Sequence, residues 1–164
     1  MPLIRQTLDE AAGRVTHEWS FAVTADRLWR GLTEPTALPQ WLGTLREGTF
    51  NAGETVVVEH AENYPSTSHI LECTPQHSLR MTWEFPDENP SELSLRMNSA
   101  DPTTSTGSAT PASELTLTHT GLAGLAPSYL TGWHTHLLYL EALLLGRPLD
   151  MGDFWATYES LGGS

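Results

Sequence analysis

The sequence contains no lysine, and a single cysteine among its 164 residues. Its eight basic side chains are all arginine and face twenty acidic ones, for a formal net charge of −12. A nucleic-acid binder needs a cationic face to displace counterions from phosphates, and this chain has little to build one with. The same shortage argues against docking on anionic lipid head groups. Cys73 has no partner for an internal disulfide, so a reducing, cytoplasmic setting is expected. No apolar run approaches the ~20 residues a membrane span needs. Residues 1–10 carry Asp9 and Glu10 and lack an apolar centre, so they do not read as a secretory signal. An acidic protein of this size suits one domain, expected over 1–164 with its core at about 13–148, burying roughly 70% of its unfolded surface. The surplus acid serves chiefly to keep it dispersed.

What is present is a series of alternating segments and one leucine-rich stretch. Residues 13–21 (GRVTHEWSF) put Val15, His17, Trp19 and Phe21 on one face, the pattern of a half-buried strand. Thr24 then suits an N-cap and Asp26 a first helical turn, with Leu28, Trp29 and Leu32 as the apolar stripe. Pro35 ends that helix, and Ala37, Leu38, Trp41 and Leu42 fit a second short one. Segments 54–62, 67–74, 78–85, 91–99 and 113–120 have strand length and composition, and 44–50 is a weaker one. Leu79, Met81, Trp83 and Phe85 share a face, as do Leu93, Leu95 and Met97, and Leu115, Leu117 and His119. Residues 56–58 are three valines, too uniform for alternation to assign an inner side. Residues 100–112 (ADPTTSTGSATPA) are small, polar and proline-bearing, so a flexible hairpin tip is expected there. A long helix is expected from near Pro127 to near Leu145, with Gly146 and Pro148 just past its end. Along it Trp133, Leu137, Leu140 and Leu144 recur at i, i+4, i+7 and i+11.

Together these elements predict an α+β protein. A curved antiparallel sheet of about six or seven strands wraps a long C-terminal helix, and two short helices follow the first strand. That is the element order of the helix-grip fold, which leaves an apolar cavity between sheet and helix. The chain resembles the SRPBCC superfamily (START, birch-pollen allergen and polyketide-cyclase types). Within it, the chain is most similar to the branch of the C-terminal domain of the heat-shock-protein ATPase activator. The likeness rests on WRGLTEPTALPQWLG at 29–43, TPQHSLRMTWEFP at 74–86, LTLTHTGL at 115–122 and GWHTHLLYLEALLLGRP at 132–148. None of these is a catalytic motif; their order and spacing carry the resemblance. Two features depart from the family pattern. The Ser/Thr-rich loop is long, and the tail at 149–164, with Phe154, Trp155 and Tyr158, lies beyond the family core. That tail is expected either to pack over the cavity or to mediate self-association.

The candidate residues follow from strand parity and helix spacing. His119 shares the inner face of Leu115 and Leu117, where its ring would bond either a ligand head group or a backbone carbonyl near Gly121. His17 and His69 also lie on faces with apolar residues, as cavity-lining or as satisfied core histidines. His134 and His136 are two apart, about 200° around a helix, so they make no metal pair and no metal site is expected. Glu18 and Glu84 face outward, which leaves a catalytic carboxylate pair unsupported. The expected ligand-binding set is Trp41, His69, Met81, Trp83, Leu95, Leu117, His119, Trp133, Leu137 and Leu140, with no catalytic residue and no cofactor. The expected function is binding of an apolar or aromatic small molecule between sheet and helix, in a void of at least roughly 300 Å3. The resemblance implies two alternatives: a co-chaperone-like partner of a heat-shock ATPase in the stress response, or a cyclase- or hydrolase-type enzyme using the same cavity.

Overall fold

Alternation written into the sequence sets the sheet. In the computed structural model, which describes residues 3–99 and 111–163, eight strands form. They are β1 (Leu3–Asp9), β2 (Arg14–Phe21), β3 (Thr44–Glu47), β4 (Thr55–Ala61), β5 (Tyr64–Thr74), β6 (Ser78–Trp83), β7 (Ser91–Ser99) and β8 (Ser113–Thr120). They make one antiparallel sheet in the order β1-β2-β8-β7-β6-β5-β4-β3. The count exceeds the expected six or seven because Leu3–Asp9, which carries no inner apolar face, pairs as an edge strand on β2. Backbone pairing along an edge does not require the buried alternation by which the other strands are recognised.

Inside the sheet the register lines up apolar rows. His17 lies opposite Leu117, Leu117 opposite Leu95, and Leu95 opposite Leu79. Val56 and Val58 face inward and are buried, which settles the side that the valine run left open. Register shifts within the β3–β4, β4–β5 and β5–β6 pairs bend that half of the sheet.

The helices fill the concave side. Helix α1 (Ala25–Thr33) is capped by Thr24, whose hydroxyl accepts from Arg27 N. The second expected helix is only a 3-10 turn at Leu38–Gln40, with Pro39 in its first turn, where proline is tolerated. Helix α2 (Ala126–Leu144) packs along β1 and β2 with Leu137, Leu140 and Leu144 buried. Its C-terminal carbonyl at Leu144 takes two hydrogen bonds from the Arg27 guanidinium, at 3.1 and 2.9 Å. Gly31 lets α1 come this close: a Cβ there would lie 2.9 Å from Leu144 Cδ2. A 3-10 turn at Met151–Asp153 leads into helix α3 (Phe154–Ser160). No helix among the described residues is long and apolar enough to cross a membrane. The expected hairpin tip at 100–112 lies outside the described residues except for Pro111 and Ala112.

Candidate functional site

Where sheet and helix were expected to stand apart, they are in close contact. Between Leu79, Met81, Leu115 and Leu117 on the sheet and Trp133 and Leu137 on α2, the free space is only about 20 Å3. The leucines interdigitate there as in an ordinary core. A cavity of about 330 Å3 opens instead beside the N-terminal half of α2. The expected void is therefore displaced along the helix.

Five parts of the chain build most of this cavity. Strand β4 brings His60, the start of β5 brings Tyr64, and the end of β6 with its turn brings Trp83, Phe85 and Glu88. Helix α2 contributes Tyr129, Trp133 and His136 at i, i+4 and i+7, a single helical face, and Gly132 beside them. The tail supplies Met151, Phe154, Trp155 and Tyr158, so it lines the cavity. Phe154 is buried against His136, with ring centroids 4.5 Å apart, whereas Trp155 is 67% exposed at the rim.

Polar groups in the wall are few and mostly spoken for. The Tyr129 hydroxyl donates to Glu88 Oε1 at 2.5 Å and accepts from Trp83 Nε1 at 3.2 Å. The Tyr64 hydroxyl donates to Asp87 Oδ1 at 2.8 Å while its ring stacks on Phe85 at 4.4 Å. Burial and the adjacent carboxylates push both phenols above their ordinary range. His136 Nδ1 lies 2.7 Å from the Trp41 carbonyl, which can only accept, so Nδ1 carries the proton and Nε2 is a lone-pair acceptor. His60 Nε2 lies 2.8 Å from Ser66 Oγ. Burial lowers His60 to about 3, helped by the neighbouring His136, and lowers His136 to about 4. Both rings are therefore uncharged at neutral pH. The cavity is aromatic, with Glu88 its one charged lining residue among those described.

The expected ligand residues divide among several places. Trp83 and Trp133 line the cavity. Trp41, Met81, Leu95, Leu117 and Leu137 line the narrow gap, and Leu140 is wholly buried in the core. Trp41 also spends its indole N–H on the Gly31 carbonyl, at 2.8 Å. His69 is corrected outright. It lies on the outer face, with Nδ1 at 2.9 Å from Thr55 Oγ1 and Nε2 at 3.6 Å from Glu84, because alternate residues Ser68 and Ile70 take the inner positions.

His119 is fully buried, away from the cavity wall. Its Nδ1 accepts the Trp133 indole N–H at 3.0 Å, so Nε2 carries the proton and donates to Ser91 Oγ at 2.7 Å. Ser91 in turn donates to the Trp83 carbonyl at 3.2 Å. Burial lowers this ring to about 3. It fixes two cavity tryptophans and leaves no nitrogen for a ligand. His17 is likewise committed, donating from Nε2 to the Leu130 carbonyl at 2.9 Å, with Nδ1 buried and unpartnered.

Sequence reasoning passed over His60, Tyr64, Glu88 and Tyr129, and weighed His136 only as half of a metal pair. For the helical ones a signal existed: Tyr129, Trp133 and His136 form an i, i+4, i+7 stripe next to the leucine stripe. His60 and Tyr64 carried none, since they meet α2 only through sheet curvature.

The described residues include no group of three or more acidic, histidine or cysteine side chains placed to hold a metal ion. Residues 22–144 match the family model described as Activator of Hsp90 ATPase homolog 1-like protein. No curated protein matches the sequence. Among solved structures, CalU16 from Micromonospora echinospora superposes with a TM-score of 0.71 at 18% identity, covering 96% of this chain and 89% of that one. DynU16, from the dynemicin biosynthetic locus, gives 0.68 at 21%, over 85% of this chain and 49% of that one, so this chain spans about half its length. A Bordetella parapertussis protein gives 0.65 at 23%, over 94% and 91%. At such identities the likeness is one of fold.

Proposed function

The chain belongs to the Activator of Hsp90 ATPase homolog 1-like protein family of the SRPBCC superfamily, and from that premise we propose that it binds an apolar or aromatic small molecule, in a reducing cytoplasmic setting. The observation that carries the reading is the 330 Å3 aromatic cavity roofed by the tail. Pockets of this volume with few polar groups take small organic ligands, whose affinity comes mainly from removing apolar surface from water. The ligand site we propose is Trp83, Phe85, Tyr129, Trp133, His136 and Phe154. His136 Nε2 is one acceptor available to orient a polar group.

Titrating the neutral fluorophore phenylnaphthylamine into the protein tests this. We expect saturable, one-to-one binding with quenching of tryptophan emission, since Trp83, Trp133 and Trp155 all stand in the wall. Absence of any saturable binding would overturn the proposal.

The enzyme reading ranks lower, because His136, held at about 4, is a weak general base at neutral pH. The co-chaperone reading draws only on the description of the matched family.

A further inference from the structure

Resting on that reading of the cavity, we propose that the molecule it holds carries a cationic amine, and that acids are rejected. Among the described residues the lining includes one carboxylate, Glu88, and no arginine. Tyr129, reaching from α2, fixes Glu88 through a 2.5 Å hydrogen bond, and Tyr64, reaching from β5, fixes the neighbouring Asp87 through one of 2.8 Å. Two carboxylates are thus held at one rim by two aromatic side chains of the wall itself. Glu88 Oε2 has no hydrogen-bond partner among the described residues and is left for a donor.

The faces around them suit a cation. Trp83 and Trp133 meet edge to face at 5.3 Å, and Phe154 and Trp155 at 5.3 Å. In each such pair one ring spends its edge on its neighbour, so its own electron-rich faces are not consumed by that contact. An ammonium or alkylammonium group is attracted to those faces and to Glu88 together, most strongly where water is excluded. His136 Nε2, a lone-pair acceptor, suits an N–H donor as well. An anionic ligand meets the reverse. It would sit beside Glu88, with no arginine in the wall, and burial holds the two imidazoles uncharged. A buried charge without a partner is strongly disfavoured.

Three probes of nearly one shape separate the cases: naphthylmethylamine, naphthylmethanol and naphthoic acid, titrated into the full chain at neutral pH and followed by tryptophan quenching. The amine is expected to bind about tenfold or more tighter than the alcohol, and the acid weakest of the three. Added salt should weaken the amine and leave the alcohol unchanged. Glu88→Gln should erase the preference of amine over alcohol while alcohol binding persists, which also reports that the variant is folded. Should that variant lose the alcohol too, the salt dependence of the unaltered protein decides. The inference falls if the acid binds as well as the amine, or if the amine has no advantage over the alcohol, and in those cases the cavity reading survives. Failure of all three probes overturns both.

Discussion

The indole N–H of Trp133 donates to Nδ1 of His119 across 3.0 Å, tying the middle of α2 to the last turn-side residue of β8's inner face. Through Ser91 the same imidazole reaches the backbone of Trp83. Two cavity tryptophans therefore depend on one buried, uncharged ring.

His119→Gln should lower stability by about 1–2 kcal/mol, since glutamine cannot serve both partners and one buried polar group goes unpaired. Probe affinity should fall only modestly, through loosening of Trp133. Thermal melts beside probe titration check this; a mutant with unchanged melting but lost binding would put His119 in contact with ligand.

Acid should destabilise the protein earlier than its carboxylates alone would. Burial holds folded His17 and His136 at about 4 and His60 and His119 at about 3, against 6.5 for the free side chain. Below 6.5 the unfolded chain takes up protons that the folded chain refuses, so stability is full above that pH and drains as pH falls toward the folded values. Between pH 7 and 5 each of these histidines withdraws about 2 kcal/mol, so the melting temperature should drop by on the order of 15–30 °C. His136→Asn should drop less over the same interval. A flat profile in the unaltered protein would contradict the assignment.

Filling the cavity should stabilise the fold and abolish its proposed ligand. Gly132 lines the cavity inside α2, and a Cβ placed there meets nothing within 4 Å. Gly132→Leu removes a helix-interior glycine, a gain of about 0.8–1 kcal/mol. The new side chain occupies ligand space, so probe affinity should fall about tenfold or more. Higher melting temperature with undiminished binding would place the probe elsewhere.

The tail can be separated into its two jobs. Trp155 is 67% exposed, and Trp155→Ala should leave stability within about 0.5 kcal/mol while weakening probe binding several-fold at the rim. Phe154 is 7% exposed, and Phe154→Ala should cost about 3 kcal/mol as well as binding. Urea unfolding of both variants, paired with titration, distinguishes them. Equal stability losses would mean that Trp155 is packed and not part of an entrance.

Much of the fold was legible because burial on one face leaves a periodic trace. Val15, Trp19 and Phe21 in β2, Leu79 and Met81 in β6, and Leu115 and Leu117 in β8 all lie inward as their parity dictates. Trp133, Leu137, Leu140 and Leu144 all lie buried at helical spacing. Strand β1 escaped notice because hydrogen bonds to β2, and not an apolar face, hold it.

The place of the cavity was decided only in three dimensions. Periodicity reports which side of an element is covered, and is silent on how completely the space beyond it is filled. Beneath Leu137 the sheet and helix close to about 20 Å3 because leucine and methionine side chains interdigitate. Beside Tyr129 and His136 the bulged strands β4 and β5 curve away, rigid aromatic rings cannot collapse into the gap, and the tail spans it, leaving about 330 Å3. His60 and His136 are 76 residues apart in sequence and their ring centroids are 6.5 Å apart in the fold. No local pattern encodes that meeting, because it depends on the curvature of the whole sheet.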